Sequence, residues 1–385
     1  MVEGYKHTEV GLIPNDWHLI IIGNEFTFKN GLNKEKQYFG YGTPIVNYMD
    51  VYSLTGIRQD EINGRVYLSQ QEIKNYQVQK GDVLFTRTSE TVEEIGISSV
   101  VCEELQNTVF SGFVLRGRPK SNLLEIEFCQ YCFASVIVRK QILTTASYTT
   151  RALTNGRLLS EVKLPLPPTK AEQTAIATAL NDADALIQKL EQLIDKKRNI
   201  KTGSMQELLK PKEGWEEKKL GEVLKIKHGK NQKEVVSENG AYPILASGGI
   251  IGRAISFLYN KPSVLIGRKG TIDEPQYMDT PFWSVDTLFY TEIAEDYDAK
   301  FIFYMFNLID WYAYNEASGV PSLNAKTIEL IEKHFPMSKS EQIRIAQILS
   351  DMDNEIQELE RQLEKYKMMK QGMMQSLLTG KIRLV

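Results

Sequence analysis

The stretch EQTAIATALNDADALI at residues 172–187 is repeated, with substitutions, as EQIRIAQILSDMDNEI at residues 341–356. When residues 169–210 are aligned without gaps to residues 338–379, about 19 of the 42 positions are identical. Unrelated helices do not agree to this extent, so the two segments are copies of one element. The repeat therefore organises the chain as a globular region and a long helix, followed by a second globular region and a second long helix.

Apolar residues in both copies recur at steps of three and four, which is the spacing of a heptad seam. Two copies of one seam, separated by a domain-sized insert, predict an intramolecular antiparallel coiled coil. The alternative is that two unrelated amphipathic helices each lie on a core of their own. The predicted seam consists of Ile176, Leu180, Ile187, Leu190 and Ile194 in the first copy and Ile345, Leu349, Met352, Ile356, Leu359 and Leu363 in the second.

Each copy begins with the same signals. Proline precedes a hydroxyl residue, Thr169 or Ser338, and a glutamate follows three residues later, Glu172 or Glu341. This spacing predicts a capping box, in which the hydroxyl and the carboxylate accept hydrogen bonds from free backbone N–H groups. Helices of about 35–40 residues are expected, with lengths of about 50–60 Å at 1.5 Å per residue.

The duplication extends into the segments before the helices. Short β-like runs mix there with helical stretches and show no alternating βαβ order, which predicts an α+β fold. The predicted division is a globular region at 1–165, a helix at 166–212, a globular region at 213–335 and a helix at 336–385. Residues 13–31 align with residues 212–229 and pair Trp17 with Trp215, Gly23 with Gly221 and Gly31 with Gly229.

The composition is that of a water-soluble globular protein of two or three domains. The 385 residues are 42% hydrophobic and 25% charged, and no run of about eighteen apolar residues offers a membrane span. Three cysteines, and a start that does not look like a secretory signal, lead us to expect a cytoplasmic protein. The formal net charge of −3 does not mark a nucleic-acid binder, so a DNA interface would have to depend on local clusters.

The two Trp-to-Gly openings and the EQ..IA..L...D..I helices, each closing on MQ.LL, resemble the specificity subunit of Type I restriction-modification systems. The resemblance covers essentially the whole chain. It implies two target-recognition domains separated by two long helices that form the antiparallel coiled coil with pseudo-two-fold symmetry. It also implies a non-catalytic subunit that recognises double-stranded DNA, with one half-site of a bipartite target read by each domain.

The same resemblance implies the partners. Two modification (methyltransferase) subunits would dock on the helices, and restriction motor-nuclease subunits would join them for cleavage. No cofactor is expected on this chain, because S-adenosylmethionine would be used by the methyltransferase subunits, and ATP and Mg²⁺ by the restriction subunits. The alternative is a coiled-coil scaffold with two protein-binding domains and no DNA contact.

Candidate DNA contacts follow predicted strands in both halves. Arg87 follows a strand in FTRTSE, and Arg268 with Lys269 lies in the glycine-flanked turn IGRKGT. Arginine can donate two hydrogen bonds to guanine, and a backbone at glycine can approach a phosphate closely. For each the alternative is an ordinary surface loop. The predicted base or phosphate contacts are Thr86, Arg87, Thr88, Ser89, Lys34, Lys36, Tyr148, Arg151, Lys227, Lys230, Ser247, Arg253, Arg268 and Lys269.

Signals for catalysis or metal binding are weak. Cys129 and Cys132 have metal-like spacing, but no second pair accompanies them and their surroundings are apolar, which favours buried structural thiols. YFGYGTP at residues 38–44 weakly resembles a methyl-donor loop, but no convincing strand precedes it. The four histidines are scattered. We therefore predict no catalytic residue and no metal site.

Overall fold

The two predicted long helices are present in the computed structural model, which describes residues 4–148 and 151–384. They extend over Lys170–Leu208 and Lys339–Leu377, with 39 residues each. At 1.5 Å per residue, each helix is about 58 Å long. The prediction of one long helix present in two copies is confirmed.

The helix starts agree with the predicted capping only in part. The backbone N–H of Glu172 donates to Oγ1 of Thr169 over 3.2 Å, as expected of a capping hydroxyl. The glutamate half of the capping box stays a prediction, and both carboxylates also accept hydrogen bonds from other partners. Glu172 accepts from the Arg383 guanidinium, and Glu341 accepts from the indole N–H of Trp215 over 3.3 Å.

The chain divides into two compact units, each with its own globular region. Unit 1 comprises Met1–Leu190 and Gln362–Val385, and unit 2 comprises Glu191–Arg361. Each long helix therefore contributes one part to each unit. The four segments expected from the sequence stay a prediction, since the compact units group the helix ends with the globular cores on which they pack.

The described part of unit 1 contains five small sheets. Their strand orders are β4-β12-β8-β10-β6, β11-β5-β7, β13-β14-β9, β1-β2 and β15-β3. Its elements in chain order are β1 (Tyr5–Thr8), β2 (Gly11–Pro14), β3 (His18–Ile21), α1 (Ile22–Glu25), β4 (Phe26–Asn30), β5 (Phe39–Val46), α2 (Tyr48–Ser53), β6 (Gly56–Ile57), β7 (Arg65–Val66), α3 (Gln70–Tyr76), β8 (Val83–Thr86), β9 (Thr88–Ser89), β10 (Ser98–Val101), β11 (Val109–Phe110), β12 (Val114–Pro119), α4 (Ile126–Cys132), α5 (Val136–Thr145), β13 (Ser147–Tyr148), β14 (Ala152–Leu153), α6 (Gly156–Ser160), β15 (Lys163–Leu166) and the first long helix, α7.

Unit 2 is simpler. Its sheets have the strand orders β17-β23-β20-β21, β19-β18-β22 and β16-β24. Its elements in chain order are β16 (Trp215–Lys219), α8 (Leu220–Val223), β17 (Leu224–His228), β18 (Tyr242–Ala246), β19 (Gly249–Ala254), β20 (Ser263–Gly267), β21 (Gln276–Met278), β22 (Trp283–Ser284), β23 (Leu288–Ile293), α9 (Ala299–Phe306), α10 (Ala325–Glu329), β24 (Glu332–Pro336) and the second long helix, α11.

Both units repeat one topology. The antiparallel order β4-β12-β8 of unit 1 recurs as β17-β23-β20 in unit 2, and the parallel pair β5/β11 recurs as β18/β22. Two of the aligned glycines occupy the same kind of close backbone contact in both units. A Cβ on Gly31 would lie 1.9 Å from the carbonyl oxygen of Ser111, and one on Gly229 would lie 1.9 Å from that of Val285. The predicted α+β class, built from two related halves, is confirmed.

The start of each long helix packs into a globular core. Ile176 and Leu180 lie in the core of unit 1, together with Leu377 from the end of α11. In unit 2, Ile345 and Leu349 lie in the core, and Leu208 from the end of α7 packs against it. These four seam residues therefore lie in the domain cores, and their contact across the helix pair stays a prediction. Of the other seam residues, Leu190, Ile194 and Ile356 are buried, whereas Ile187, Met352, Leu359 and Leu363 are half-buried.

Ion pairs between the helices show that they are antiparallel. In unit 2, Lys197 pairs with Glu355 over 2.6 Å and Lys201 pairs with Asp353, so residue numbers rise along one helix as they fall along the other. In unit 1, Lys370 pairs with Asp184. The predicted antiparallel arrangement is therefore present within each unit.

Each globular region is joined to the helix pair by a tyrosine. The Tyr131 hydroxyl on α4 donates to Asp184 over 2.7 Å, and the Lys370 ammonium lies 5.6 Å from the Tyr131 ring centroid. In unit 2 the Tyr304 hydroxyl on α9 donates to Asp353 over 2.7 Å, and Lys201 lies 5.7 Å from its ring centroid. Burial, followed by the hydrogen bond to the aspartate, raises the pKa of both tyrosines. The aspartate and the lysine that recur in both helix copies thus attach the globular region of each unit to the helix segments of that unit.

The segment after α11 packs on the start of the chain, within unit 1. Arg383 donates to the Asp16 carboxylate over 2.8 and 2.9 Å, and the Tyr5 hydroxyl donates to the carbonyl oxygen of Gly380 over 3.2 Å. The Arg383 guanidinium also lies 5.8 Å from the centroid of the buried Trp17 ring. These contacts attach the end of α11 to the opening strands of unit 1.

Candidate nucleic-acid interface

Arg87 is the first residue after the buried strand β8 in unit 1. Its backbone N–H donates to the carbonyl oxygen of Phe113 over 3.0 Å, and its own carbonyl oxygen accepts from the N–H of Thr154 over 3.0 Å. One guanidinium nitrogen, Nη1, donates to the carbonyl oxygen of Gly112 over 3.3 Å. The arginine is half-buried, and its backbone N–H and C=O are both hydrogen-bonded, so the backbone around it sets the direction of its side chain.

Arg268 occupies the equivalent place in unit 2, after the buried strand β20. Its backbone N–H donates to the carbonyl oxygen of Thr287 over 2.9 Å, and its carbonyl oxygen accepts from the N–H of Leu323 over 2.9 Å. Its Nη1 donates to the carbonyl oxygen of Asp286 over 3.1 Å. The two arginines singled out in the sequence are therefore held by matching backbone contacts. A guanidinium has five N–H donors, so further donors remain for a base or a phosphate.

Three hydroxyl residues lie beside Arg87. The Thr86 side chain is fully buried, and its Oγ1 donates to the carbonyl oxygen of Glu94 over 2.5 Å, so Thr86 is unsuited to direct base reading and that prediction is corrected. The Ser89 Oγ donates to the Glu94 carboxylate, and Oγ1 of Thr88 is buried. Thr88 and Ser89 both line a cavity that Arg151 also lines, and their prediction as DNA contacts stays a prediction.

Arg151 lines a cavity of about 370 Å³ close to Arg87. The other lining residues include Tyr48, Phe113 and Glu94, which sequence reasoning missed. The Tyr48 hydroxyl donates to the Glu94 carboxylate over 3.1 Å, and burial raises the pKa of Tyr48. Tyr48 and Glu94 lie far from Arg151 in sequence, so no spacing rule could have grouped them. The side chain of Tyr148, another predicted contact, lies outside the described residues.

Two predicted phosphate contacts already have carboxylate partners. Lys34 pairs with Glu72, and this interaction lowers the pKa of Glu72 to about 2. Lys227 pairs with Glu292 of the neighbouring strand over 3.0 Å, and the hydrogen bond to that carboxylate raises the pKa of Lys227. A lysine that is already paired gains less from a phosphate, so both are weaker candidates than the sequence indicated.

The other basic residues differ in whether their side-chain donors already have partners within the protein. Arg253 is exposed, and it donates from Nε to the carbonyl oxygen of Gly240 over 2.6 Å and from Nη2 to that of Ala241 over 2.9 Å. These bonds use part of its guanidinium, and its role as a DNA contact stays a prediction. Lys36 and Lys230 are exposed, and within the described part of the chain their ammonium groups have no hydrogen-bond or ion-pair partner.

In unit 2 the structure brings together predicted residues from two separate loops. A Cβ on Gly270 would lie 3.3 Å from Oγ of Ser247, so the β18–β19 turn meets the turn after β20. Lys269 in that second turn is exposed, and Gly270 has φ +90°, which favours glycine. Ser247, Arg268 and Lys269 thus form one polar cluster at the end of the unit 2 sheets.

Neither a metal centre nor a membrane-spanning helix is found in the described part of the chain. No group of three or more histidine, cysteine, aspartate or glutamate side chains is placed to hold a metal ion there. Cys129 and Cys132 are free and buried in the core of unit 1, and burial raises the pKa of Cys132. Across residues 4–148 and 151–384, no helix combines the length and apolar character that crossing a bilayer requires.

Comparisons with known proteins agree with this architecture. The family described as "Type I restriction modification DNA specificity domain" matches the chain twice, at residues 14–197 and 212–365. The putative type I restriction enzyme MjaX specificity subunit of Methanocaldococcus jannaschii is 25% identical, over 99% of this chain and 97% of that protein. The MjaVIII specificity subunit of the same organism is 24% identical, over 99% and 96%.

Solved structures share the fold. The crystal structure of the Type I restriction-modification S subunit from M. genitalium superimposes with a TM-score of 0.63 at 18% identity, over 94% of this chain and 96% of that one. A chain from a study of complex assembly and conformational transition of the type I R-M system gives a TM-score of 0.58 at 14% identity, over 96% and 99%. With two matched domains, two related units and duplicated long helices, the chain belongs to the Type I restriction-modification DNA specificity domain family.

Proposed function

We propose that this DNA-specificity subunit reads a bipartite target, with one half-site contacted by unit 1 and the other by unit 2. The observation that carries the proposal is the matching backbone support of Arg87 and Arg268. Each arginine follows a buried strand and retains donors that could bind the O6 and N7 acceptors of guanine. Two equivalent reading heads on one chain correspond to two half-sites.

The helix pair α7/α11 would dock two methyltransferase subunits. The duplication supports this, because each copy supplies a similar outer surface while its inner surface packs on a core. Restriction motor-nuclease subunits would join the same assembly. Methyl transfer from S-adenosylmethionine, and the use of ATP and Mg²⁺ in cleavage, would take place on these partners, since this chain is a non-catalytic specificity subunit.

The test is a pair of alanine substitutions. The target is first identified by mapping methylation in the host genome with and without the gene. Arg87→Ala and Arg268→Ala should each weaken binding to that target by about 1–3 kcal/mol while leaving non-specific affinity almost unchanged. The loss caused by Arg87→Ala should disappear when bases in one half-site are changed, and the loss caused by Arg268→Ala should disappear when bases in the other half-site are changed. Arg361→Ala, on the exposed surface of α11, is the matched control and should bind as the wild type does.

Two results would contradict the proposal. Equal weakening on specific and random duplexes would place both arginines on phosphates. Binding that does not fall as salt rises would favour a protein-binding scaffold, since phosphate contacts release counterions.

A further inference from the structure

Strand β5 contains a bulge built from Gly-Tyr-Gly. Phe39 and Thr43 of β5 both pair with Val66 of β7, so residues 40–42 form an insertion between them. Gly40 has φ +101° and Gly42 has φ +92°, both in the region that favours glycine. The two glycines allow the chain to leave the sheet and return within three residues. Tyr41 is at the apex of this bulge.

The bulge presents an aromatic pair to solvent. Tyr41 is 53% exposed and Tyr67, which follows β7, is 55% exposed. Their rings are stacked, with centroids 5.6 Å apart and planes at 28°. Phe39 beside them is 37% exposed. Bulges commonly redirect a side chain, and clustered exposed aromatic groups commonly mark an interaction surface.

A small core makes this aromatic pair rigid. Leu32, Ile45, Val66, Leu68, Ile73 and Val109 are buried together beneath β5 and β7. Helix α3 is attached to the same region, because Lys34 pairs with Glu72 and the Lys29 ammonium donates to the carbonyl oxygen of Asn75 over 2.6 Å. The aromatic pair is therefore carried by an ordered platform.

The platform is basic, although the whole chain is acidic. Residues 29–46 and 63–76 contain five lysines and arginines and two glutamates, a local net charge of +3, whereas the chain carries −3. Lys36 in this region is exposed. These cations and the exposed aromatic rings belong to the same two segments. A basic segment that carries exposed aromatic rings is complementary to nucleic acid, because phosphates can meet the cations and bases can stack on the rings.

Unit 2 has a bulged ribbon at the equivalent position. Strand β18 corresponds to β5, and its pairing with β19 shifts register between Ile244 and Leu245. Ile250 and Ile251 at this irregularity are 67% and 56% exposed. In unit 2 the extra residue lies on β19, the partner of β18, whereas in unit 1 the insertion lies on β5 itself. Both units thus have an irregular ribbon with exposed apolar groups, but on different strands.

We infer that Tyr41, supported by Tyr67, is a DNA wedge that stacks on a base in the half-site read by unit 1 and unstacks the adjoining step. The inference rests on the proposed function, since it assigns a role within DNA recognition. Apolar and aromatic side chains that enter between base steps separate them and bend the duplex. Tyr67 contributes by holding the Tyr41 ring in place before DNA binds.

The test uses the complex of this chain with its methyltransferase subunits. The probe is a duplex that carries the target found by methylation mapping, with single adenines replaced by 2-aminopurine, whose fluorescence rises when it unstacks. In addition to any signal at the methylated adenine, which methyltransferases flip out of the stack, wild type and Tyr41→Phe should raise fluorescence at one position of the half-site read by unit 1. Tyr41→Ala should abolish that signal and weaken binding by about 5- to 150-fold, with the salt dependence unchanged because no phosphate contact is lost.

Tyr312→Ala is the matched control, because Tyr312 is 54% exposed and lies in unit 2. It should reproduce the wild-type signal, and circular dichroism should show all variants folded. Wild-type affinity for Tyr41→Ala would overturn the inference, as would weaker binding with the fluorescence signal retained. Failure of Tyr41→Ala to assemble with the methyltransferase subunits would identify a protein contact instead, and would also overturn it. If the wild-type complex binds no duplex, the proposed function itself fails.

Discussion

Replacing Arg383 tests a buried ion pair that joins the end of the chain to the start of α7. The Glu172 side chain is fully buried, and its carboxylate accepts from Nε and Nη2 of Arg383, the latter over 2.8 Å. The same guanidinium also donates to Asp16 and lowers the pKa of that carboxyl by hydrogen bonding. Arg383→Met keeps much of the side-chain volume and removes these donors.

The expected loss follows from the buried carboxylate. Leaving one charge of a buried pair without its partner costs about 3–5 kcal/mol. The variant should therefore lose about 3–5 kcal/mol of unfolding free energy at pH 7.

Urea unfolding followed by circular dichroism at pH 7 measures this loss. Arg361→Met is the control, because Arg361 is 78% exposed and its surface pair with Glu358 should contribute about 0–1 kcal/mol. Adding Glu172→Gln to Arg383→Met should recover most of the lost stability, since no charge is then buried. A loss equal to that of the control, or no recovery in the double variant, would refute this account.

Two further predictions concern a half-buried ion pair and two exposed helix glycines. Lys34→Met should raise the pKa of Glu72 from about 2 towards its ordinary value, measured by NMR titration of the carboxyl carbon, with the Ser69 hydrogen bonds keeping it somewhat below 4.5. Because the folded pKa is lowered, the wild-type pair stabilises the fold above pH 4.5 and loses this effect as pH falls towards 2, so an unchanged pKa in the variant would contradict the assignment. Gly203→Ala and Gly372→Ala, at helical positions where an added Cβ meets nothing within 4 Å, should each raise the free energy of unfolding by about 0.5–1 kcal/mol in urea titrations. A decrease would show that either glycine has a role beyond the helix.

The sequence alone determined the features that depend on local spacing. Heptad periodicity and a second copy of the same segment predicted both long helices and their antiparallel pairing, because periodicity is a property of neighbouring residues. The alignment of Gly31 with Gly229 marked equivalent positions in the two halves, and the structure has a close backbone approach at both. The strand-then-arginine pattern placed Arg87 and Arg268 at equivalent positions for the same reason.

The tertiary structure decided everything that depends on partners distant in the chain. The Thr86 hydroxyl is used by Glu94, and Lys227 is paired with Glu292 across a strand, so the sequence could not show that these candidates were already occupied. Tyr131 reaches Asp184 only because α4 packs on α7 in the folded unit. Local patterns fix which elements form, whereas long-range packing fixes which polar groups remain free for a ligand, since each buried donor or acceptor takes the nearest available partner.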